Sequence, residues 1–468
     1  MLFSSMTFIF VFLPILLVLC LCTKKEFHNI LLLIASIIFY AWGEPKFLII
    51  MLLTILINYS GAILIEKYPK YKKLTLITTI LLTLSFLIYF KYLNFIITNI
   101  NELLKCHIDT LNIILPLGIS FYTFQALSYI IDVYKGESKA QTNLYKLALF
   151  ICFFPQLIAG PILKYQDIYK QIDSREITTD KIIIGTKRFI IGLAKKMFLA
   201  NILGEIVDKI FIMEPSTFPH WVAWLGSTSY TMQLYFDFSA YSDMAIGLGL
   251  IFGFTIKENF NYPWASKSFS EGWRKWHISL TTWFKKYVYC NIPLRGSRYK
   301  SMIKLMLVFL LTGIWHGASW TFIIWGIYNG LVIVLEKIFK LKEFEQTHPQ
   351  LWARILQHTY FIVILAVALT IFRADNMSYA YKYIQNMLGI LKLNQQNFIY
   401  STTYYIGPIE TIVYIISVLC CTPIFKNMIY IKNKYGKILV NAWLLILFVL
   451  SVAAIASGTY NPFIYFRF

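Results

Sequence analysis

Residues 312–320 are Thr312-Gly313-Ile314-Trp315-His316-Gly317-Ala318-Ser319-Trp320, in the middle of an apolar run from Ile303 to Leu335. A run of this length predicts helix that crosses a membrane. An ionisable side chain is costly at that depth, so His316 is a candidate functional residue. Its small neighbours would let another backbone or a thin ligand come close. The alternative is a core histidine that is hydrogen-bonded across helices.

The whole chain has the composition of an integral membrane protein. Its 468 residues are 58% hydrophobic and 14% charged, and the mean hydropathy is +0.62. Soluble domains carry about 25% charged residues. Because apolar runs recur along the chain, we expect an all-α, multipass fold with about ten to twelve membrane helices. Soluble enzyme classes are excluded.

The net charge of +20 lies in the connections between apolar segments. An excess of Lys and Arg in short loops marks the cytoplasmic side of a membrane protein. Basic residues follow the first span at Lys24 and Lys25, the third at residues 67–73, and a later one at residues 135–146. This pattern predicts a retained first span, an extracytoplasmic N-terminus in the cell (inner) membrane, and contact with lipid rather than nucleic acid.

We expect one membrane-embedded domain over residues 1–468. Residues 1–110 are conventional spans, 111–335 form a core, and 336–468 contain the last spans. Within the core, residues 111–165 are broken by Pro and Gly, which predicts that they pack inside the protein. Residues 164–188 are expected to form a charged cytoplasmic loop.

Residues 257–300 combine polar, basic and aromatic side chains and are too charged to cross a membrane. Ser268 and Glu271 have capping-box spacing, which predicts a helix that begins near Phe269. Apolar residues then recur every three or four positions on one face: Trp273, Trp276, His277, Leu280, Trp283, Phe284 and Tyr287. The pattern is typical of an interfacial helix. It is either a plain anchor or a docking surface for an anionic cofactor, with His277 turned inward.

Other polar groups admit two interpretations. Gln233 and Asp237 share a helix face, where they bond between helices or, for Asp237, orient a histidine. Arg373 follows a span and is expected to snorkel to the interface. The seven cysteines show no ligand spacing, so we predict no metal site. No phosphate-binding glycine loop, HExxH or GxSxG motif occurs, which argues against ATP-driven transport, zinc proteolysis and a self-contained serine acyltransferase.

The order of four motifs is similar to that of a known family. They are Tyr235-Phe236-Asp237-Phe238-Ser239-Ala240-Tyr241-Ser242-Asp243, Asn259-Phe260-Asn261-Tyr262-Pro263, Trp276-His277-Ile278-Ser279-Leu280 and Gly313-Ile314-Trp315-His316-Gly317-Ala318-Ser319-Trp320. The chain resembles the membrane-bound O-acyltransferase family, especially the bacterial branch that acetylates exported polysaccharides such as alginate and peptidoglycan. Both chain ends resemble that branch too, including Asn461-Pro462-Phe463-Ile464-Tyr465-Phe466-Arg467-Phe468.

The resemblance implies a ring of tilted helices, with interfacial and re-entrant helices, around a central funnel. It makes His316 the essential catalytic residue and His277 the second active-site position. Supporting positions are Asp237, Trp315, Ser319 and Trp276.

The resemblance also implies acetyl-CoA as a cytoplasmic donor substrate, with no tightly bound cofactor. The candidate coenzyme-binding residues are Arg274, Lys275, Lys285, Lys286, Arg295 and Arg298. The acceptor would be a polysaccharide hydroxyl, reached through an extracytoplasmic, serine-hydrolase-like acetyltransferase partner. Alternatives are a transporter or channel, a scaffold that recruits such a partner, and transfer of a D-alanyl or lipid acyl group.

Overall fold

The computed structural model describes residues 1–294, 296–394, 400–426, 431, 433–458 and 460–463. Within these ranges the chain forms helices and loops and no β-strand, which confirms the all-α prediction. The helices cluster into two compact units: Met1–Phe189 with Tyr241–Lys257, and Ile190–Ala240 with Glu258–Phe468. The division into spans, core and C-terminal spans expected from sequence stays a prediction.

The first unit contains most of the chain's N-terminal half. Its helices are α1 (Leu13–Cys22), α2 (His28–Ala41), α3 (Leu48–Lys67), α4 (Lys72–Leu87), α5 (Leu93–Leu104), α6 (Ile119–Tyr134), α7 (Leu144–Cys152), α8 (Phe154–Leu157), α9 (Tyr165–Asp173) and most of α10 (Thr179–Ala194). Short π-helical segments at Phe8–Phe12 and Ile88–Tyr92 continue into α1 and α5.

Helix α6 is the centre of this unit, because 14 of its 16 residues are buried. Residues 147–163 are buried as well, so the prediction that the Pro- and Gly-broken region packs inside the protein is confirmed for residues 119–134 and 147–163. The prediction that residues 164–188 form a loop was wrong. Helix α9 and the start of α10 occupy it, because Ile168 and Ile172 bury one face of α9.

The second unit carries the candidate site. Its helices are α11 (Asn201–Phe211), the first part of α12 (His220–Ile251), α13 (Phe269–Lys275), α14 (Ile278–Tyr287), α15 (Arg298–His316), α16 (Trp320–Ile338), α17 (Leu341–Thr347), α18 (Leu351–Arg373), α19 (Met377–Met387), α20 (Thr402–Tyr405), α21 (Pro408–Cys420) and α22 (Lys434–Ala456). A π-helical segment, Lys195–Ala200, precedes α11.

Five helical stretches of the described residues are long and apolar enough to cross a membrane. They are Pro45–Lys67, Pro69–Leu104, Trp320–Ile338, Leu351–Arg373 and Lys434–Ala456; two shorter apolar helices are Phe8–Cys22 and Pro408–Cys420. The chain is therefore an integral membrane protein. The total of ten to twelve membrane segments stays a prediction, because the criterion concerns only length and composition.

Polar contacts join helices inside the second unit. The Ser227 hydroxyl on α12 donates to the Ala366 carbonyl of α18 at 2.9 Å and lies 2.9 Å from Thr370 Oγ1. Such bonds satisfy polar groups that neither lipid nor an apolar core could satisfy. The sequence predicted interhelical bonds of this kind for Gln233 and Asp237.

The apolar run around His316 folds as a helical hairpin rather than one long helix. Helix α15 ends at His316, Gly317 is extended, and the Ser319 hydroxyl caps α16 by accepting from the Thr321 N–H. The two backbones approach closely at Gly313 and Gly326. A Cβ added at Gly326 would lie 2.5 Å from the Phe309 carbonyl oxygen and 3.1 Å from the Gly313 Cα. Only glycine fits there without moving a helix.

We expect Gly326→Val to push α15 away from α16, because the added side chain meets helix backbone that has no room to give. Overpacking of this kind costs about 1–3 kcal/mol. The measurement is the Tm of the detergent-solubilised protein. Leu331→Val, at an exposed position of the same helix, is the control and should leave the Tm nearly unchanged. Equal Tm values for both variants would contradict the tight helix contact.

Candidate active site

His316 is buried at the C-terminal end of α15, with 8% of its surface exposed. Its ring makes edge-to-face contacts with Trp325 and Phe372, with ring centroids 5.0 Å apart in each case. The aromatic rings hold the imidazole in place.

A cavity opens beside His316. Its empty volume, which includes space open to solvent, is about 590 Å³, and aromatic and aliphatic side chains form nearly all of its lining. The lining residues are Leu234, Phe238, Trp264, Phe269, Gly272, Trp273, Trp276, His316, Trp325, Asn329, Phe361, Leu365, Ala368, Leu369 and Phe372. An apolar cavity with a few placed polar groups is typical of a small-molecule site. The ionisable side chain in this lining is His316.

His277 is almost fully buried, with 1% of its surface exposed, and lies behind the residues that line the cavity rather than among them. Its ring packs edge-to-face on Phe238, with centroids 4.6 Å apart, and lies 6.2 Å from the Trp315 ring. Phe238 lines the cavity, and Trp315 precedes His316 in the chain. The second unit therefore brings the two predicted histidines and Trp315 into one aromatic cluster.

A loop holds the His277 ring in one orientation. Asn259 Oδ1 accepts from the Ser279 N–H at 3.1 Å and from the Ser279 hydroxyl at 2.8 Å, and it lies 3.2 Å from His277 Nδ1. An amide oxygen only accepts, so Nδ1 carries the proton and Nε2 presents a lone pair. Nε2 is buried, and no described residue offers it a hydrogen-bond partner. This nitrogen is therefore available to accept a hydrogen bond.

Burial also decides the charge of His277, which lies outside the candidate spans. Desolvation lowers the pKa of this imidazole to about 3, because removal from water disfavours the charged ring. His277 is therefore neutral at physiological pH and a weak proton acceptor, but a competent hydrogen-bond acceptor.

The interfacial segment differs from the single helix predicted by its periodicity. The predicted start is confirmed, since the Ser268 hydroxyl accepts from the Glu271 N–H at 3.2 Å. The helix breaks, however, at Trp276 and His277, and His277 adopts a left-handed backbone conformation with φ +40°. The Asn259 carbonyl accepts from the Ile278 N–H at 2.8 Å. The loop thus bonds to the backbone at the break and turns His277 inward.

Glu336 fixes the position of α13, the helix that precedes the break. Its carboxylate is buried, with 7% of the residue's surface exposed. It accepts from the Phe269 N–H at 2.6 Å and from the Ser270 N–H at 2.8 Å. A carboxylate at a helix N-terminus satisfies free backbone donors and complements the helix dipole. Since Glu336 belongs to α16, the hairpin that carries His316 also anchors the segment that carries His277.

The other polar residues predicted near the site have their own partners. Asp237 forms a buried ion pair with Lys196, with 2.7 Å between Nζ and Oδ1. Its proposed role in orienting a histidine stays a prediction. Ser319 caps α16, and Trp276 stacks on Trp264 with centroids 4.9 Å apart. Arg373 does not snorkel as expected, because its buried guanidinium pairs with Asp208 at 2.8 Å.

The candidate coenzyme-binding residues differ in their exposure and in their contacts. Arg274, Lys285 and Arg298 are exposed, although Arg298 also donates to the Lys337 carbonyl. Lys275 pairs with Glu271 at 2.6 Å, and Lys286 lies over the Tyr287 ring at 5.0 Å. Arg295 lies outside the described residues. Arg274 and Lys285 are therefore each exposed to an anionic ligand.

Sequence reasoning missed Asn259, Glu336 and Lys196 as structural partners of the site. Asn259 begins the motif Asn259-Phe260-Asn261-Tyr262-Pro263, just before the interfacial segment. Its position there could have indicated a structural role. Glu336 is an acidic residue at the end of a candidate span, and such residues are expected to have a partner. Lys196 carried the same kind of signal, because it and Lys195 interrupt an apolar run over residues 189–200.

Comparisons with known proteins identify the family that the chain resembles. A model of the membrane-bound O-acyltransferase (MBOAT) family matches residues 34–373. The probable alginate O-acetylase AlgI of Pseudomonas putida is 37% identical over the full length of both chains. The peptidoglycan O-acetyltransferase of Helicobacter pylori is 34% identical, over 91% of this chain and 87% of its own. The teichoic acid D-alanyltransferase of Bacillus subtilis is 32% identical, over 52% of this chain and 65% of its own.

We expect His277 to remain neutral, with its proton on Nδ1, between about pH 5 and 8, because its pKa is lowered to about 3. The measurement is NMR of the protein labelled with ¹⁵N-histidine, followed across this pH range. The His277→Gln variant assigns the signal by its loss. A midpoint for the assigned signal inside this range would contradict the buried, neutral imidazole.

Proposed function

The chain belongs to the membrane-bound O-acyltransferase family, and on that premise we propose that it acetylates hydroxyls of a cell-surface or exported polysaccharide. The observation that carries the proposal is the position of His316 in the lining of an otherwise apolar cavity. Relatives that match this chain over most of its length are named for acetyl transfer to alginate or peptidoglycan. The two supports are independent, since one is geometry and the other is sequence similarity.

The reaction joins a hydroxyl to an acetyl thioester. His316 takes the proton of the hydroxyl as its oxygen attacks the thioester carbonyl; a C–O bond forms and the C–S bond breaks. The proton then passes to the departing thiolate, so the products are an O-acetyl ester and a free thiol. The apolar cavity keeps water, the competing nucleophile, away from the thioester.

His277 has a different part in this proposal. Its low pKa makes it a poor base, whereas its buried Nε2 is available as a hydrogen-bond acceptor. It would hold a donor group of the substrate in line with the reacting atoms. The two histidines then divide the work: His316 transfers the proton and His277 positions the substrate.

The lining of the cavity suits an acetyl group better than a D-alanyl group. The residues lining the cavity in the described part of the chain include no carboxylate, so a D-alanyl ammonium would have no counter-ion there. An acetyl group needs none. We therefore favour acetyl-CoA as the donor, although one relative is named as a D-alanyltransferase.

The orientation of the chain in the membrane and its charges suggest where the donor and the acceptor would lie. Acetyl-CoA would come from the cytoplasm, and its phosphates would be attracted to Arg274 and Lys285. The acceptor lies outside the inner membrane, with the N-terminus on that side. Because this chain lacks a GxSxG motif, a separate extracytoplasmic acetyltransferase with a serine nucleophile would pass the acetyl group to the polymer.

Replacement of the base tests the proposal. We expect His316→Ala to lower acetyl transfer by at least about 100-fold, because a positioned base contributes about 10²–10⁴-fold. The measurement is transfer of labelled acetyl from acetyl-CoA to ester in membranes that contain the protein and its acceptor. A transporter would form no ester, and a scaffold would not need His316.

The control for this experiment is His107→Ala, at an exposed position, with amounts of both variants in the membrane matched by immunoblot. It should retain full transfer. Full transfer by His316→Ala would contradict the assignment of the base, and no ester from the unaltered chain would contradict the enzyme itself.

The donor site can be tested by charge. We expect the double variant Arg274→Gln, Lys285→Gln to raise the KM for acetyl-CoA about three- to tenfold, because exposed ion pairs contribute up to about 1 kcal/mol each. The KM for S-acetylpantetheine, which lacks the nucleotide phosphates, should not change. Added salt should raise the acetyl-CoA KM of the unaltered chain. Equal changes for the two donors would show that these cations do not bind phosphate.

A further inference from the structure

The cavity beside His316 extends along one face of α18. Its lining on this helix consists of Phe361, Leu365, Ala368, Leu369 and Phe372, at spacings of three and four that place them on one stripe. Phe372 is at the His316 end, with centroids 5.0 Å apart. Eleven residues of helix separate it from Phe361, a rise of about 16 Å. The cavity is therefore long, with the base at one end.

Other side chains mark the far end of the cavity. The rings of Trp264 and Phe269 each lie 6.3 Å from the ring of Phe361. A Cβ added at Gly272 would lie 2.7 Å from the Phe361 ring. The interfacial segment thus packs against Phe361 at this end, and a ligand that reached past Phe361 would meet groups on that segment and on the preceding turn of α18.

Gln357 continues the lining stripe by one turn beyond Phe361. It is buried, with 3% of its surface exposed, yet neither Oε1 nor Nε2 has a hydrogen-bond partner among the described residues. Buried amide groups in proteins are nearly always bonded. A complete carboxamide left unmatched one helical turn beyond the residues that line the cavity points to a ligand that completes its hydrogen bonds.

A second unmatched group lies at the same end. Ser266 is fully buried, and its hydroxyl has no hydrogen-bond partner in the described part of the chain. The neighbour of Gln357 on α18, His358, donates from Nδ1 to the Ser266 carbonyl at 2.9 Å. This bond holds the Ser266 segment against the turn of α18 that carries Gln357.

We propose that Gln357 binds a secondary amide in the arm of the acyl donor, with Ser266 as a second contact. A carboxamide offers one acceptor oxygen and two N–H donors, and a secondary amide offers the matching N–H and carbonyl oxygen, so both groups can be satisfied at once. This inference rests on the proposed function and deepens it. The pantetheine arm of acetyl-CoA carries two secondary amides, so one can reach Gln357 while the thioester lies at His316.

The charge pattern supports entry of the arm from the Gln357 end. The helix ends and the connection at that end of the hairpin and of α18 carry Arg298, Lys300, Lys337, Lys340, Lys342 and Arg354. An excess of Lys and Arg in short connections marks the cytoplasmic side, where a coenzyme donor is found. The phosphates would stay at the basic end while the thioester reaches His316.

The test compares two thioesters that differ in the arm. S-acetylpantetheine has the amides, and S-ethyl thioacetate has none. Free thiol is measured in membranes that contain the full chain and its acceptor. We expect Gln357→Met to lower kcat/KM for S-acetylpantetheine about tenfold, since the loss of a buried amide pair is of that order, and to change kcat/KM for S-ethyl thioacetate less than about twofold.

The ratio of the two values within one variant does not depend on how much protein is folded. Ser266→Ala is the second variant and should shift the ratio in the same direction, which keeps the test decisive if Gln357→Met accumulates poorly. Gln350→Met is the matched control, because Gln350 is exposed just before the same helix; its ratio should equal that of the unaltered chain.

The outcomes separate the two proposals. An unchanged ratio in Gln357→Met and Ser266→Ala, or equal loss with both thioesters, would overturn the amide-binding inference and leave the acetyltransferase proposal intact. The absence of thiol release from either donor by the unaltered chain would overturn both.

Discussion

The close approach of two helix backbones at Gly313 and Gly326 is the contact on which the candidate site depends. It packs α15 against α16 so tightly that a single Cβ at Gly326 would meet the Phe309 carbonyl. This hairpin supplies His316 from one helix and Trp325, Asn329 and the Glu336 carboxylate from the other. In an apolar surrounding, where no water corrects a misplaced polar group, such rigidity keeps each of them in register.

Two further clamps transmit this rigidity to His277. Glu336 holds the first turn of α13, and Asn259 holds the break between α13 and α14 together with the imidazole itself. A left-handed backbone at a residue other than glycine persists only where its surroundings enforce it. Here the enforcing bonds come from both sides of the break. The placement of the neutral His277 imidazole thus depends on hydrogen bonds from its surroundings rather than on charge.

Local features of the sequence were enough to predict part of the fold and of the candidate site. A histidine inside an apolar run, the spacing of Ser268 and Glu271, and the small residues around His316 each have a local physical meaning, and the structure agrees with all three. The break at His277 could not be predicted, because apolar spacing continues through it and the bonds that cause it come from Asn259, eighteen residues earlier. Likewise, the partners of Asp237 and Arg373 are distant in sequence, and the unmatched amide of Gln357 is visible only once its neighbours are placed.

Aromatic rings enclose the cavity, and that has a practical consequence for work on the protein. Trp264, Trp273, Trp276 and Trp325 line it, four of the twelve tryptophans in the chain. Indole fluorescence responds to polarity and to nearby quenchers, and a third of the chain's indoles line this cavity. Occupancy of the cavity can thus be followed optically in detergent or in vesicles, without a label and without turnover.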